Sequence, residues 1–198
     1  MDVLEPRRAA LYDHMMRALE RRFFPDTRAW VGARAVGDTL EVAAGTCLNL
    51  AHYPSGVRLE ALDRNPAMLT LGAARADALG RSLTTQVGDA LDLPFADSTF
   101  DTVVCTFALC EVRDLPAALT EAARVLRPGG RLLLADHVVA SASPVRWAQR
   151  ALELVTIPVA GEHFTRRPRL HLQGAGFEVV ESDRLAHGAI ERVHARRV

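Results

Sequence analysis

Thr39-Leu-Glu-Val-Ala-Ala-Gly-Thr-Cys-Leu-Asn49 decides how the chain folds. An apolar run holding one acid, Glu41, breaks at Ala43-Ala44-Gly45-Thr46, and a helical pattern follows from Leu48. That order predicts a buried strand, a tight turn and a helix start. Small residues in the turn let backbone approach a flat or charged group with no Cβ in the way. Glu41 falls near the strand's end, where its carboxylate can face a cationic or hydroxyl-bearing ligand. The next apolar run, Val57-Arg-Leu-Glu-Ala-Leu-Asp63, closes on a second carboxylate. Strand, small-residue turn, helix, strand and acid make up half of a nucleotide-binding α/β unit.

Downstream, strand and helix signals alternate. Asn65-Pro66 opens a helix to about Leu79 that stops at Gly80, with proline in the first helical position. Leu83–Val87 reads as a short strand closed by Gly88-Asp89, and Phe100–Thr106 as a strand rich in β-branched residues. Asp114 caps a helix from Leu115 to Leu126, Pro128-Gly129-Gly130 stops it, and Arg131–Val138 is a further strand ending at Asp136-His137. This alternation calls for a parallel sheet covered on both faces. The tail reads as a helix from Pro144 to about Ile157, and a short helix to Gln173 that Thr165 caps. Two strands near Phe177–Ser182 and Ala189–Arg196 then form an antiparallel pair at one edge.

The N-terminal part differs. Pro6–Phe24 has apolar residues close to a 3.6-residue period and arginines over much of the remainder, and Pro25 ends it. This basic amphipathic helix has three readings: a lid over a ligand, with Tyr12 reaching into the substrate pocket, a peripheral membrane-surface helix, or packing against the domain. Asp26 reads as the N-cap of a second helix to about Val36. Residues 1–37 are thus a helical segment and candidate lid, and 38–198 a single globular domain, with no internal repeat or linker.

Composition narrows the chemistry. At 198 residues and 49% hydrophobic, the chain can bury a full core. Its 24 basic and 24 acidic groups balance, so no long-range attraction to nucleic acid is expected. Every basic residue is arginine, which excludes a lysine Schiff base. Cys47, Cys105 and Cys110 lack zinc-type spacing, so no metal is expected, and their odd number reads as a reducing, cytoplasmic compartment. The N-terminus has no signal-peptide pattern, and no apolar run reaches the ~18 residues of a membrane span.

In an open α/β sheet, ligands bind beyond the carboxyl ends of the strands. Five places fall there: the Ala43–Asn49 turn, Asp63, Asp89-Ala90, Thr106-Phe107 and Asp136-His137. Only Gly45 remains of a G-x-G-x-x-G pattern, which disfavours a dinucleotide and its pyrophosphate. A ribose on Asp63, an adenine edge near Asp89 and an amino-acid end at the turn fit better.

Five ordered motifs then carry a resemblance: Leu40-Glu-Val-Ala-Ala-Gly-Thr46, Leu62-Asp-Arg-Asn-Pro-Ala-Met68, Gly88-Asp-Ala-Leu-Asp-Leu-Pro-Phe95, Phe100-Asp-Thr-Val-Val-Cys-Thr106 and Arg124-Val-Leu-Arg-Pro-Gly-Gly130. Together they resemble the class I S-adenosylmethionine-dependent methyltransferases. Cys105–Val112, Asp136–Val138 and Gly161–Arg166 are similar to the branch of phospholipid N-methyltransferases and small thiol methyltransferases. The resemblance implies a Rossmann-like, doubly wound, mostly parallel seven-stranded sheet with an antiparallel edge strand. It implies S-adenosylmethionine as cofactor, with S-adenosylhomocysteine as product. Cofactor contacts carry over to Glu41, Ala43, Gly45, Cys47, Asn49, Asp63, Arg64, Met68, Asp89, Ala90, Thr106 and Phe107. The acceptor is then a small, lipophilic amine, thiol or hydroxyl compound; for a hydroxyl, His137 is the first candidate base and His163 the second. Cys110 lines the pocket or fills a small buried space. Sparse aromatic content, 6%, argues against a large planar polycyclic acceptor.

Two departures stand out, since the family usually has glycine where this chain has Ala43 and Cys47. If the turn needs φ > 0, a Cβ costs about 1 kcal/mol. Either the turn has relaxed and binds cofactor, or the chain is a non-catalytic binder with weakened affinity.

Overall fold

The computed structural model describes Asp13, Met16, Glu20, Arg22 and residues 24–198. Seven strands form one sheet in the order β3-β2-β1-β4-β5-β7-β6. They are β1 (Asp38–Val42), β2 (Arg58–Asp63), β3 (Thr84–Val87), β4 (Phe100–Thr106), β5 (Leu126–His137), β6 (Phe177–Leu185) and β7 (Ile190–Arg197). The first five are parallel, while β7 lies antiparallel between β5 and β6. Strand order reverses at β1, where the chain crosses from β3 to β4, so a crevice opens beyond the carboxyl ends of β1 and β4.

Period-two alternation builds a core on each face. Leu132 and Leu134 of β5 point into one cluster, with Leu119, Val125 and Phe177. Leu133 and Ala135 point into the other, with Val31, Leu50, Tyr53 and Leu69. The helices α1 (Thr27–Gly32) and α2 (Pro66–Ala78) help cover the second face, and α3 (Leu115–Val125) the first. Asn65 caps α2 by accepting from Ala67 N at 2.9 Å, and Asp114 caps α3 by accepting from Ala117 N at 3.0 Å. The helix α4 (Ser143–Ala160) follows β5.

Several elements depart from expectation. Asp26 does not cap with its side chain: it sits in the left-handed region (φ 66°), and its backbone carbonyl accepts from Trp30 N instead. The helix it begins ends at Gly32 and tightens into i+3 turns through Ala35. The helix expected from Leu48 is one 3₁₀ stretch, Leu48–His52, because Tyr53 precedes a proline and is forced extended. The stop signal Pro128-Gly129-Gly130 is absorbed into β5. Leu126 pairs with Phe100 and Arg131 with Thr102, and the residues between are looped out. Thr165 starts no helix; it donates to Glu153, and two 3₁₀ turns, Pro168–His171 and Gln173–Ala175, fill the segment.

Candidate active site

The turn after β1 winds through three left-handed residues, Ala43 (φ 51°), Gly45 (φ 54°) and Cys47 (φ 55°). Asp63 braces it. One carboxylate oxygen accepts from Gly45 N at 2.8 Å and the other from Asn65 N at 2.8 Å. Each oxygen keeps a further lone pair for a ligand hydroxyl. Among the described residues, a Cβ built on Gly45 would meet nothing within 4 Å, so the turn borders open space there.

Beside the turn lies a cavity of about 170 Å³. Ala43, Asp63, Arg64, Asp89 and Ala90 line it, and so do Ala108 and Glu111. Asp89 accepts from Leu91 N at 3.0 Å and has Arg64 and Arg113 nearby, at 3.8 and 3.7 Å. Glu111 has no expected role in the sequence reading. Burial first, and then the neighbouring Glu162, raise its carboxyl to about 7. Its only signal in the sequence is its place in the loop after β4. Met68, in the first turn of α2, is outside this lining.

Glu41 lies behind the turn rather than in the cavity lining. It is buried and accepts from Asn49 Nδ2 at 2.9 Å and Tyr53 OH at 2.8 Å. Asn49 also donates to Thr106 Oγ1 at 2.9 Å and accepts from Arg28 at 3.0 Å, and Arg28 pairs with Glu20 at 2.6 Å. Burial raises Glu41 to about 7 against the opposing hydrogen bond from Tyr53. A buried polar chain therefore ties the N-terminal segment to the first strand.

Cys47 has a fully buried thiol, absent from the cavity lining. Its Sγ occupies the hollow at Gly72 on α2, where a Cβ would stand 2.6 Å from it. The glycine missing from the turn has a counterpart in the helix: Gly72 makes the room that Cys47 takes up.

Across β4 and β5 the crevice wall is aromatic. Phe107, itself left-handed (φ 55°), packs at a tilt against His137 at 5.1 Å and Phe24 at 5.2 Å, and Phe164 meets His137 edge-on at 5.2 Å. Burial lowers His137 to about 4, so its imidazole is neutral at pH 7. Its Nδ1 is buried and has no hydrogen-bond partner among the described residues. Asp136 accepts from His137 N at 2.7 Å and Cys110 N at 3.2 Å, and burial raises it to about 6. Cys110 is buried, with its thiol pushed up by desolvation and by Asp136. His163 is half-buried, and its N–H holds the Cys110 carbonyl at 2.9 Å. The structure thus brings His137, Cys110 and Asp136 together, with His163 on the adjoining loop. Tyr12 lies outside the described residues.

From the N-terminal segment, Asp13 reaches the turn, accepting from Thr46 Oγ1 and pairing with Arg75 of α2 at 2.9 Å. Phe24 covers Phe107.

A reversal at β1, with two carboxylates and a bare glycine turn around a crevice, defines a nucleoside-binding α/β domain. Residues 40–134 match the family model described as a methyltransferase domain. The chain is 36% identical over 166 residues to a demethylmenaquinone methyltransferase of Thermobifida fusca, covering 79% of this chain and 69% of that protein. It is 31% identical to the human thiol S-methyltransferase TMT1A, over 67% of this chain and 56% of that one. A solved methyltransferase structure from Aquifex aeolicus superposes with a TM-score of 0.69 at 18% identity, over 98% of each chain. The chain belongs to the class I S-adenosylmethionine-dependent methyltransferase family. It spans little more than half, 55% and 60%, of several other curated relatives it matches.

Proposed function

We propose that the chain transfers the methyl group of S-adenosylmethionine to a small lipophilic acceptor. The observation that carries this is the cavity in which Asp63, Asp89 and Ala90 converge beside the open turn at Gly45. There Asp63 holds the ribose hydroxyls through its remaining lone pairs, and Asp89 accepts from the adenine amino group. Ala90 N–H serves the adenine edge, and Arg64 and Met68 flank the nucleoside. Ala43, Gly45 and Thr46 frame the methionine end, backed by Glu41, Asn49 and Thr106. The bound cofactor supplies a sulfonium methyl carbon, an electrophile that needs little activation. The protein's task is then to align the acceptor and shield it from water.

Phe107, Phe164 and His137 form the acceptor wall. The neutral imidazole of His137 offers a hydrogen-bond partner to an acceptor hydroxyl, and His163 stands second. An aromatic wall of this kind suits a flat apolar ring, despite the low aromatic content of the whole chain. The demethylmenaquinone relative makes the ring carbon of a reduced naphthoquinone the first acceptor to test. The human relative makes a thiol the second. Burial, and then Asp136 and Glu111, push up the Cys110 thiol itself, so Cys110 stays protonated at pH 7 and does not serve as a nucleophile.

Within residues 1–37 the lid in this reading is the part before α1, since Val31 and Ala35 belong to the core. Asp13 clasps the turn and Phe24 rests on the acceptor wall. Membrane contact through the N-terminal helix falls mainly on residues outside those described. The test is methyl transfer from labelled cofactor to a reduced naphthoquinone, a hydrophobic thiol and an amine. Transfer to the first or second supports the proposal. S-adenosylhomocysteine binding without transfer to any acceptor favours the non-catalytic binder.

A further inference from the structure

The helix α4 is built inside out. Gln149, Glu153 and Thr156 recur at helical spacing along one stripe, and this polar stripe faces the protein. Gln149 Nε2 donates to Val138 O at 2.8 Å and to Phe164 O at 3.3 Å, while its Oε1 accepts from Ala140 N at 2.8 Å. Glu153 accepts from Thr165 N at 2.8 Å, and Thr156 donates to Glu162 O at 3.2 Å. The opposite face carries Trp147, Ala151, Leu154, Val155 and Pro158, all exposed; Trp147 is 67% and Leu154 79% accessible. A surface helix of a soluble domain ordinarily shows the reverse arrangement, and a contiguous exposed apolar face marks an interaction site.

Its charges indicate the partner. The helix has three charged residues, Arg146, Arg150 and Glu153. The one carboxylate is turned inward to Thr165; of the arginines, exposed Arg150 flanks the apolar face, and half-buried Arg146, donating to Ser143 Oγ at 3.0 Å, stands at the edge of the polar stripe. Arg150 extends over the Trp147 ring at 5.7 Å. An apolar stripe with tryptophan, to which its own helix adds no outward acid and an exposed arginine, matches the boundary of an anionic bilayer, where tryptophan sits among headgroups and arginine reaches phosphate. A protein partner or a second copy would gain nothing from this one-signed border unless it supplied acids of its own.

We propose that α4 docks on a bilayer surface bearing anionic headgroups. Leu154, Val155 and Trp147 enter the interface, and Arg146 and Arg150 meet phosphate. The polar stripe then keeps the 162–165 loop attached, and Phe164 of that loop lies against His137, so the docking face adjoins the acceptor wall. The inference rests on α4 alone and stands whatever the acceptor is.

The test uses the full chain carrying Trp30→Phe, which leaves Trp147 as the sole tryptophan. Trp30 is stacked between Arg34 and Arg192, at 3.9 and 5.0 Å, a place phenylalanine can fill. Vesicles of phosphatidylcholine with phosphatidylglycerol should shift Trp147 emission to the blue and sediment the protein, with less binding as salt rises. Leu154→Glu with Val155→Glu should abolish sedimentation, and Arg146→Gln with Arg150→Gln should lower it roughly thirtyfold. Unchanged S-adenosylhomocysteine binding, by calorimetry, would show these variants are folded. Absence of binding to the anionic vesicles, or binding indifferent to Leu154 and Val155, overturns the proposal. So does a dimer that hides Trp147 in place of vesicle binding, which would assign the face to a second copy.

Discussion

Cys47 combines a left-handed backbone with a thiol sealed under α2. Its fit depends on Gly72, so the two positions should behave as one unit. Gly72→Ala drives a methyl to 2.6 Å from Sγ and should destabilise by about 1–3 kcal/mol. Cys47→Gly removes both the obstacle and the left-handed strain, and in that background Gly72→Ala should cost less than half as much. Chemical denaturation of the two single variants and the double checks this, and additive losses would refute the pairing. Neither reading of Cys47 was separable in the sequence, because the room for its thiol comes from a glycine 25 positions away (72 − 47). Glu41 supplies a second test at this scale. Its folded-state carboxyl is raised from 4.5 to about 7, so the native state holds the proton more tightly than the unfolded chain. The stability this gives is complete below about 4.5 and is lost as pH climbs through about 7. Glu41→Gln keeps a neutral hydrogen-bonding group there, and the Tyr53 hydroxyl can accept as well as donate. The melting temperature of the variant relative to wild type should therefore rise between pH 5 and 8; a constant difference would contradict the assignment.

Among the elements, buried strands were the most legible. Runs such as Leu132–Ala135 and Val103–Cys105 read as strands because both faces are covered, and their termini placed Asp63, Asp89 and His137 at one end of the sheet. Short elements were less legible. The 3₁₀ stretch at Leu48 and the six-residue α1 are set by Pro54 and by the left-handed Asp26, which override the local pattern. The inversion of α4 was hidden for another reason: an apolar stripe opposite a polar one reads the same whichever faces the core. The N-terminal segment gives a prediction here. The Asp13–Arg75 pair is largely withdrawn from water, with side chains 13% and 20% exposed. If it latches a lid, Asp13→Ala should speed release of S-adenosylhomocysteine about tenfold, a loss of ~1.4 kcal/mol, close to the lower end for hydrogen bonds to charged groups. Stopped-flow displacement measures this, and an unchanged release rate would leave the segment as plain packing.

Over the whole molecule, one topological fact organises the chemistry. The sheet reverses direction at β1, and the groups that line the cofactor cavity, Ala43, Asp63, Arg64, Asp89 and Ala90, lie at or just after a strand's carboxyl end. The acceptor wall is assembled from more distant parts: Phe107 after β4, His137 at the end of β5, Phe164 after α4 and Phe24 before α1. The nucleoside side was accordingly legible as ordered motifs, whereas the acceptor side, gathered from four separate segments, was not. Among the described residues no helix is long and apolar enough to cross a membrane. The most direct measurement is calorimetric titration of S-adenosylhomocysteine into wild-type protein and Asp63→Ala. Saturable one-to-one binding to wild type, weakened at least a hundredfold by the substitution (about 2.7 kcal/mol for charge-assisted hydrogen bonds to the ribose), is the predicted result. No binding to wild type, or equal affinity for both proteins, would contradict it.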